Sequence, residues 1–243
     1  MCGRYTLAKG EGRWEFAHLR VEWTGPKRFN IAPSQFAPII RMEQGVPVVR
    51  TLRWGLVPSW SRDASDGARL ANARGETVAS KPSFRAAFRS RRCVVPADGY
   101  YEWQTLGRRK QPWRFVRPAG EDFLMAGLWE TWTDPGGSEL ETFSLITTSP
   151  NAVAVAVHDR MPVLLEGSDV GTWLEAATPA DQLQGLIRSC PDDRLKVYPV
   201  HPRVGSPSQD DPGCIEALSA DALAALDVPA KKEPPVSRQG ELF

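Results

Sequence analysis

The sequence lacks any long apolar run. The longest, Ala152–Val157 and Pro162–Leu165, fall far short of the ~20 residues a bilayer span needs. Its start, MCGRYTLAKG, has no apolar stretch behind the charges, so no secretory signal is expected. An excess of one charge is also missing: 30 basic and 29 acidic side chains leave a net charge of +1. That balance does not by itself point to nucleic acid, because a general polyanion binder is usually more basic. Cysteines are few (Cys2, Cys93, Cys190 and Cys214), and their spacing matches no zinc or CxxC pattern. Without an export signal, reduced thiols in a cytoplasmic protein are expected. There is no G-x-S-x-G nucleophile elbow and no metal-ligand cluster, so neither a serine hydrolase nor a bound metal or cofactor is expected. Only three histidines, His18, His158 and His201, could supply imidazole chemistry.

What is present describes an ordinary globular chain. Its 243 residues and 26.9 kDa suit one large domain or two small ones, and 42% hydrophobic with 24% charged residues is typical. β-Branched and aromatic residues concentrate in Val46–Val57, Cys93–Gln104, Pro112–Arg117, Phe123–Trp132, Thr142–Thr148 and Leu195–Val200, which read as strands. Helices are predicted over Ser83–Arg91, Ser168–Ala176, Pro179–Cys190 and Ser219–Leu226, with Ser168 and Ser219 as caps. No βαβ rhythm appears, and 20 glycines with 21 prolines imply many turns. The expected fold is therefore α+β, built on a mainly antiparallel, partly closed, barrel-like sheet with short interspersed helices. Residues 1–227 form the expected domain. Residues 228–243, VPAKKEPPVSRQGELF, read as a disordered tail with two apolar residues at its end.

The chemistry starts at Cys2. Removal of Met1 before a small residue would leave an N-terminal cysteine. Its α-amine, with pKa about 7.7–8.0, and its thiol, near 8.5, form a 1,2-aminothiol that is partly deprotonated near neutral pH. The amine condenses with an aldehyde to an imine, and the thiol then closes a five-membered thiazolidine. An internal cysteine cannot do this, because its nitrogen is an amide. Taken alone, Cys2 could equally be an incidental second residue. Glu102, in the aromatic setting of Tyr100, Tyr101 and Trp103, could be a proton shuttle or a strand-end ion pair. His158 could be a catalyst or a structural residue, and Asn72 a turn residue.

The order of seven segments bears on these alternatives. They are CGRY (Cys2–Tyr5), RFNIAPSQ (Arg28–Gln35), RWGLVPSW (Arg53–Trp60), ANARGETVASKPSFR (Ala71–Arg85), RCVVPADGYYEWQ (Arg92–Gln104), MAGLWETW (Met125–Trp132) and FSLITTSPNAVAVAVHDRMPVLL (Phe143–Leu165). Over residues 2–205 the chain resembles the SRAP family, the SOS response-associated peptidase domain that crosslinks to abasic sites in single-stranded DNA. The resemblance implies that Cys2 captures the ring-opened sugar aldehyde as a thiazolidine crosslink that shields the lesion. It implies that Glu102 and His158 move protons and that Asn72 holds the Cys2 amine. It further implies an atypical enzyme, with lyase and autopeptidase activity as additional possibilities. With only Met1 ahead of Cys2, little self-processing is required.

By the same analogy Arg4, Arg74 and Arg160 contact phosphates, while Pro33 and Trp60 meet bases flanking the lesion. Arg85 heads the densest basic cluster, with Arg89, Arg91 and Arg92; Arg85 and Arg89 share a helix face that is either a phosphate track or simply solvated. Arg108, Arg109 and Lys110 read as a hairpin loop. In the tail, Gln239, Leu242 and Phe243 match the bacterial sliding-clamp-binding pentapeptide, whereas Gly240 departs from its usual leucine. The expected partners are single-stranded DNA containing abasic sites and, through the tail, a sliding clamp. No membrane is expected, and the protein is expected to be a monomer, nucleoid-associated in a bacterium. Two other readings stay open: a thiol peptidase using Cys2, and a noncovalent single-strand-binding module. A redox role for Cys93, Cys190 or Cys214 is not legible.

Overall fold

Turn chemistry and β-rich runs divide the first half of the chain into short strands. In a computed structural model, which describes residues 2–16 and 19–226, these are β1 (Arg4–Leu7), β2 (Glu11–Phe16), β3 (Leu19–Thr24), β4 (Arg28–Ile31), β5 (Phe36–Glu43), β6 (Val46–Trp54) and β7 (Asn72–Arg74). The second half adds β8 (Arg92–Ala97), β9 (Gly99–Leu106), β10 (Arg109–Val116), β11 (Phe123–Thr133), β12 (Glu139–Thr148), β13 (Met161–Pro162) and β14 (Lys196–Pro199). Among the described residues four short α-helices are interspersed, α1 (Arg85–Ser90), α2 (Asp169–Leu174), α3 (Ala180–Gly185) and α4 (Ala220–Ala225), with several 3₁₀ turns.

Two main sheets result, and they carry the site between them. One is open and antiparallel throughout, in the order β14-β10-β9-β1-β4. The other runs β11-β8-β5-β6-β12 and closes, because β12 pairs back onto β11. Among the described residues only β6 and β7 lie parallel to β12. β2 and β3 form a separate hairpin. The α+β, mainly antiparallel and barrel-like expectation holds. At the β5–β6 hairpin, Gln44 (φ 51°) and Gly45 (φ 80°) take up the two left-handed positions that a tight two-residue turn demands.

The largest apolar cluster includes Tyr5, Ile39, Trp54, Tyr100, Phe115, Phe123 and Phe143, from strands of both sheets. Tyr100 stacks on Phe115 with centroids 4.7 Å apart, and Tyr5 meets Trp54 edge-on at 5.2 Å. Asp98, at the corner between β8 and β9, is a buried polar joint. It accepts hydrogen bonds from Thr6 Oγ1, Lys9 N (3.0 Å) and Arg114 Nη2 (3.0 Å). A buried carboxylate satisfied this fully is costly to disturb, so it pins β1 and β10 to the corner.

Several expected elements are redrawn. The strand read over 93–104 is two strands of different sheets, broken at Asp98. The helix expected from Ser83 begins at Arg85, and the one expected over 179–190 stops at Gly185. Ser219 Oγ does cap its helix, accepting Ala222 N at 3.1 Å. Ser168 does not: its backbone is already helical and its side chain makes no capping bond. The tail with Gln239, Leu242 and Phe243, and also His18, lie outside the described residues. No helix among the described residues is long and apolar enough to cross a membrane.

Candidate active site

β1 sits between β9 and β4, so ladders on both edges fix the segment that leads into it. Arg4 faces Tyr101 and Tyr5 faces Tyr100, which brings residues 2 and 3 alongside Glu102. Tyr5 also faces Ile31 on β4, and the same ladder continued leads to the Ala32–Pro33 turn. Cys2 is fully buried within the main cluster, its Sγ 3.9 Å from Arg4 O. Burial first, and then the charge of Glu102, push its thiol far above the usual range, so the resting sulfur is protonated.

Glu102 shares a face of β9 with Tyr100, and only 3% of its side chain is exposed. Burial raises its carboxyl to about 7, which makes it a proton donor and acceptor near neutral pH. His158 comes from the loop after β12. That loop is folded by Asn151, whose Oδ1 accepts Ala154 N at 2.9 Å, while His158 N closes on Ala154 O at 2.9 Å. His158 Nε2 lies 3.8 Å from Glu102 Oε2. Its Nδ1 is 3.0 Å from Arg160 N and 2.9 Å from an Asp159 carboxylate oxygen. Nδ1 cannot accept from the first and donate to the second at once. Burial lowers the imidazole pKa, so the neutral ring prevails: Nδ1 accepts from Arg160, and the proton sits on Nε2 toward Glu102.

Asn72 opens β7 beside β12. Its Nδ2 donates to Cys2 O at 2.8 Å, so it holds the carbonyl of Cys2 rather than the expected amine. Its Oδ1 is buried with no hydrogen-bond donor among the described residues. The structure thus brings Cys2, Asn72, Glu102 and His158, from four separate segments, to one end of β1. The set combines a protonated thiol, a carboxyl that titrates near neutrality, a neutral imidazole and an amide acceptor. These parts suit reversible carbonyl chemistry with internal proton transfer.

The expected DNA contacts divide by burial. Trp60 is 65% exposed, beside a cleft lined by Pro58, Leu70 and Ser83. Pro33 is half-buried, and Arg74 and Arg85 are exposed with no ion pair among the described residues. Arg89 is exposed beside Arg85, but Arg91 pairs with Glu130 at 2.6 Å. Arg92 is buried, donating to carbonyls of Phe88, Arg89, Trp173 and Glu175. Arg4 is occupied by Val204 O (2.6 Å), Gly205 O (3.0 Å) and Asn30 Oδ1 (3.1 Å). Arg160 is paired with Glu76. Glu76, Asn30 and Asn151 escaped sequence reasoning, and so did Phe36, an exposed aromatic at the start of β5. The first three act through partners remote in the chain, and nothing local in the sequence distinguishes them. All four cysteines are free and buried.

The sequence model of the SOS response associated peptidase (SRAP) family matches residues 1–207. The chain is 37% identical over 223 residues to the abasic site processing protein YoqW of Bacillus subtilis, covering 89% of this chain and all of that one. It is 30% identical over 261 residues to the abasic site processing protein HMCES of Gallus gallus, covering 88% of this chain and 77% of that one. Among solved structures, a Bacteroides thetaiotaomicron protein matches with a TM-score of 0.71 at 29% identity, over 78% of this chain and 85% of that one.

Proposed function

Because the chain belongs to the SOS response associated peptidase family, we propose that it senses abasic sites in single-stranded DNA and captures them covalently through Cys2 once Met1 is removed. The observation that carries this reading is the meeting of Cys2, Asn72, Glu102 and His158 at the end of a strand held on both edges.

The ring-opened abasic sugar presents an aldehyde. The Cys2 amine adds to that carbon, and the resulting hydroxyl leaves as water after accepting a proton from Glu102. The thiol then bonds to the same carbon and gives its proton to the Glu102 carboxylate, closing a thiazolidine whose nitrogen keeps one of its original protons. Overall, aldehyde and aminothiol combine with loss of one water. A sulfur held as a thiol by burial needs a nearby base as it attacks, and the carboxylate left by the first step is that base. His158, with its hydrogen on Nε2, hydrogen-bonds the Glu102 carboxyl and holds it in place for its two proton transfers; a lyase step at the sugar would involve the same imidazole. Asn72 Oδ1 supplies the acceptor for a proton of the amine or carbinolamine. Arg74, Arg85, Trp60 and Pro33 hold the flanking strand. Arg4 contributes by tying β1 to the 204–205 turn, and Arg160 by a route taken up below. The tail residues Gln239, Leu242 and Phe243 would dock on a sliding clamp, a contact that a tail peptide should compete away.

A denaturing gel tests the main reading. The protein, with loss of Met1 verified by mass spectrometry, is mixed with a single-stranded oligonucleotide carrying one abasic site. A heat-stable shifted band is expected with that strand, absent with an intact strand and absent for Cys2→Ala. No band from correctly processed protein would sink the proposal.

A further inference from the structure

Arg160 ends the turn that carries His158, and its guanidinium is already occupied. Nη1 and Nη2 engage both oxygens of Glu76 at 2.5 and 3.0 Å, and Nη2 also donates to Thr147 O at 2.6 Å. The two partners differ in kind. Thr147 is a buried residue of β12, so its carbonyl belongs to the fold. Glu76 stands in the turn after β7 with its side chain 52% exposed, against 15% for Arg160.

The backbone of that turn is held independently of the ion pair. Gly75 N donates to Thr147 O at 2.9 Å, and Gln184 Nε2 donates to Gly75 O at 3.1 Å. A Cβ at residue 75 would come within 2.2 Å of Ile187, so the approach is close as well as bonded. Only the Glu76 side chain is therefore free to leave. Its two oxygens meet the guanidinium fork as the two non-bridging oxygens of a phosphodiester would. Exposed Arg74 stands two residues away, so the carboxylate lies among the very cations proposed for the DNA backbone.

We propose that Glu76 is a placeholder for a DNA phosphate: it fills the Arg160 fork in the DNA-free protein, and a backbone phosphate must displace it on binding. This rests on the DNA reading above. The consequence is selectivity. An intact strand gains little, because it exchanges one anion for another on Arg160. An abasic strand is retained regardless, through its bond to Cys2. Glu76 is then a specificity residue that keeps noncovalent affinity low.

The test is fluorescence anisotropy with an intact single-stranded oligonucleotide over a range of salt concentrations. Glu76→Gln is expected to bind about tenfold tighter than wild type. Its salt dependence should steepen, by at most about 0.7 in log K against log salt, the value for one phosphate on a single strand neutralised by a cation no longer offset by a carboxylate. Glu76→Ala should show the same gain if the amide disturbs the turn, with thermal melting confirming that each variant folds. In an Arg160→Gln background the gain should vanish. Glu139→Gln, an exposed carboxylate at the start of β12, measures the effect of net charge alone. A gain no larger than that control, a gain that survives Arg160→Gln, or weaker binding in Glu76→Gln would each overturn the placeholder. A wild-type protein that neither binds intact strands nor crosslinks abasic ones would instead overturn the DNA reading beneath it.

Discussion

Two turns in this molecule share a local design. In His158–Asp159–Arg160 and in His201–Pro202–Arg203, the histidine Nδ1 accepts the backbone N–H of the arginine at 3.0 Å. In each, the arginine pairs with a carboxylate at 2.5 Å, Glu76 in one case and Asp211 in the other. Their surroundings differ. His201 is exposed and caps the short 3₁₀ turn Pro202–Gly205. His158 is partly buried, with its second nitrogen 3.8 Å from a carboxylate that burial has pushed to about 7. The hydrogen bond that selects the tautomer is the same in both. What sets the two imidazoles apart, and what the proposed proton transfer relies on, is the group across from Nε2, delivered by β9 from another part of the chain.

Removing that group should break the contrast most severely. Glu102→Gln is expected to slow crosslinking about hundredfold near neutral pH, the scale of a lost general acid–base. Rapidly quenched gels would read this, and a change under threefold would mean that the carboxylate is not what distinguishes the two turns. Glu102 also has a stability consequence of definite sign. The folded chain holds its proton up to about pH 7, whereas an unfolded glutamate releases it near 4.5, so stability falls as pH rises between those values. The shift corresponds to about 3 kcal/mol. Glu102→Gln should therefore melt at a higher temperature than wild type at about pH 8, with the difference gone at about pH 4.

The two histidines sharpen the comparison from the other side. His158→Ala should slow crosslinking about tenfold, less than the roughly hundredfold or more of a group that transfers the proton itself, because it acts through Glu102. His201→Ala should leave the rate within about twofold and cost about 1 kcal/mol of stability, as the loss of a helix cap does. Denaturant melts alongside the rate assay separate these outcomes. Equal rate losses in both variants would show that the turns differ less than their surroundings indicate.

Much of the site was legible in the sequence because its chemistry needs particular residues. A second-position cysteine has few uses that an internal one lacks, and the segments around Asn72, Glu102 and His158 stand in a distinctive order. The later strands were legible from their β-branched and aromatic runs. The first strands were harder to see. β1 is four residues long, with an irregular register between Tyr5 and Leu7, and it is a strand only because β9 and β4 lie beside it. The basic cluster after Ser83 shows the same limit. Arg85 and Arg89 face solvent, while Arg92, three residues past Arg89, is buried against carbonyls reaching to Glu175. Nothing in the run of arginines separates them. Arg160 and Glu76 lie 84 residues apart, and no local pattern pairs them.

Residue identity therefore settled the fold class and the family and pointed to the candidate reacting groups, because aminothiol chemistry and strand-forming patterns are properties of side chains and short segments. The folded molecule alone decided the state of each group: a thiol kept protonated, a carboxyl titrating near 7, an imidazole proton on Nε2, an arginine already paired. Desolvation and pairing depend on which distant segments pack together, and that is settled only when the two sheets close around the start of β1.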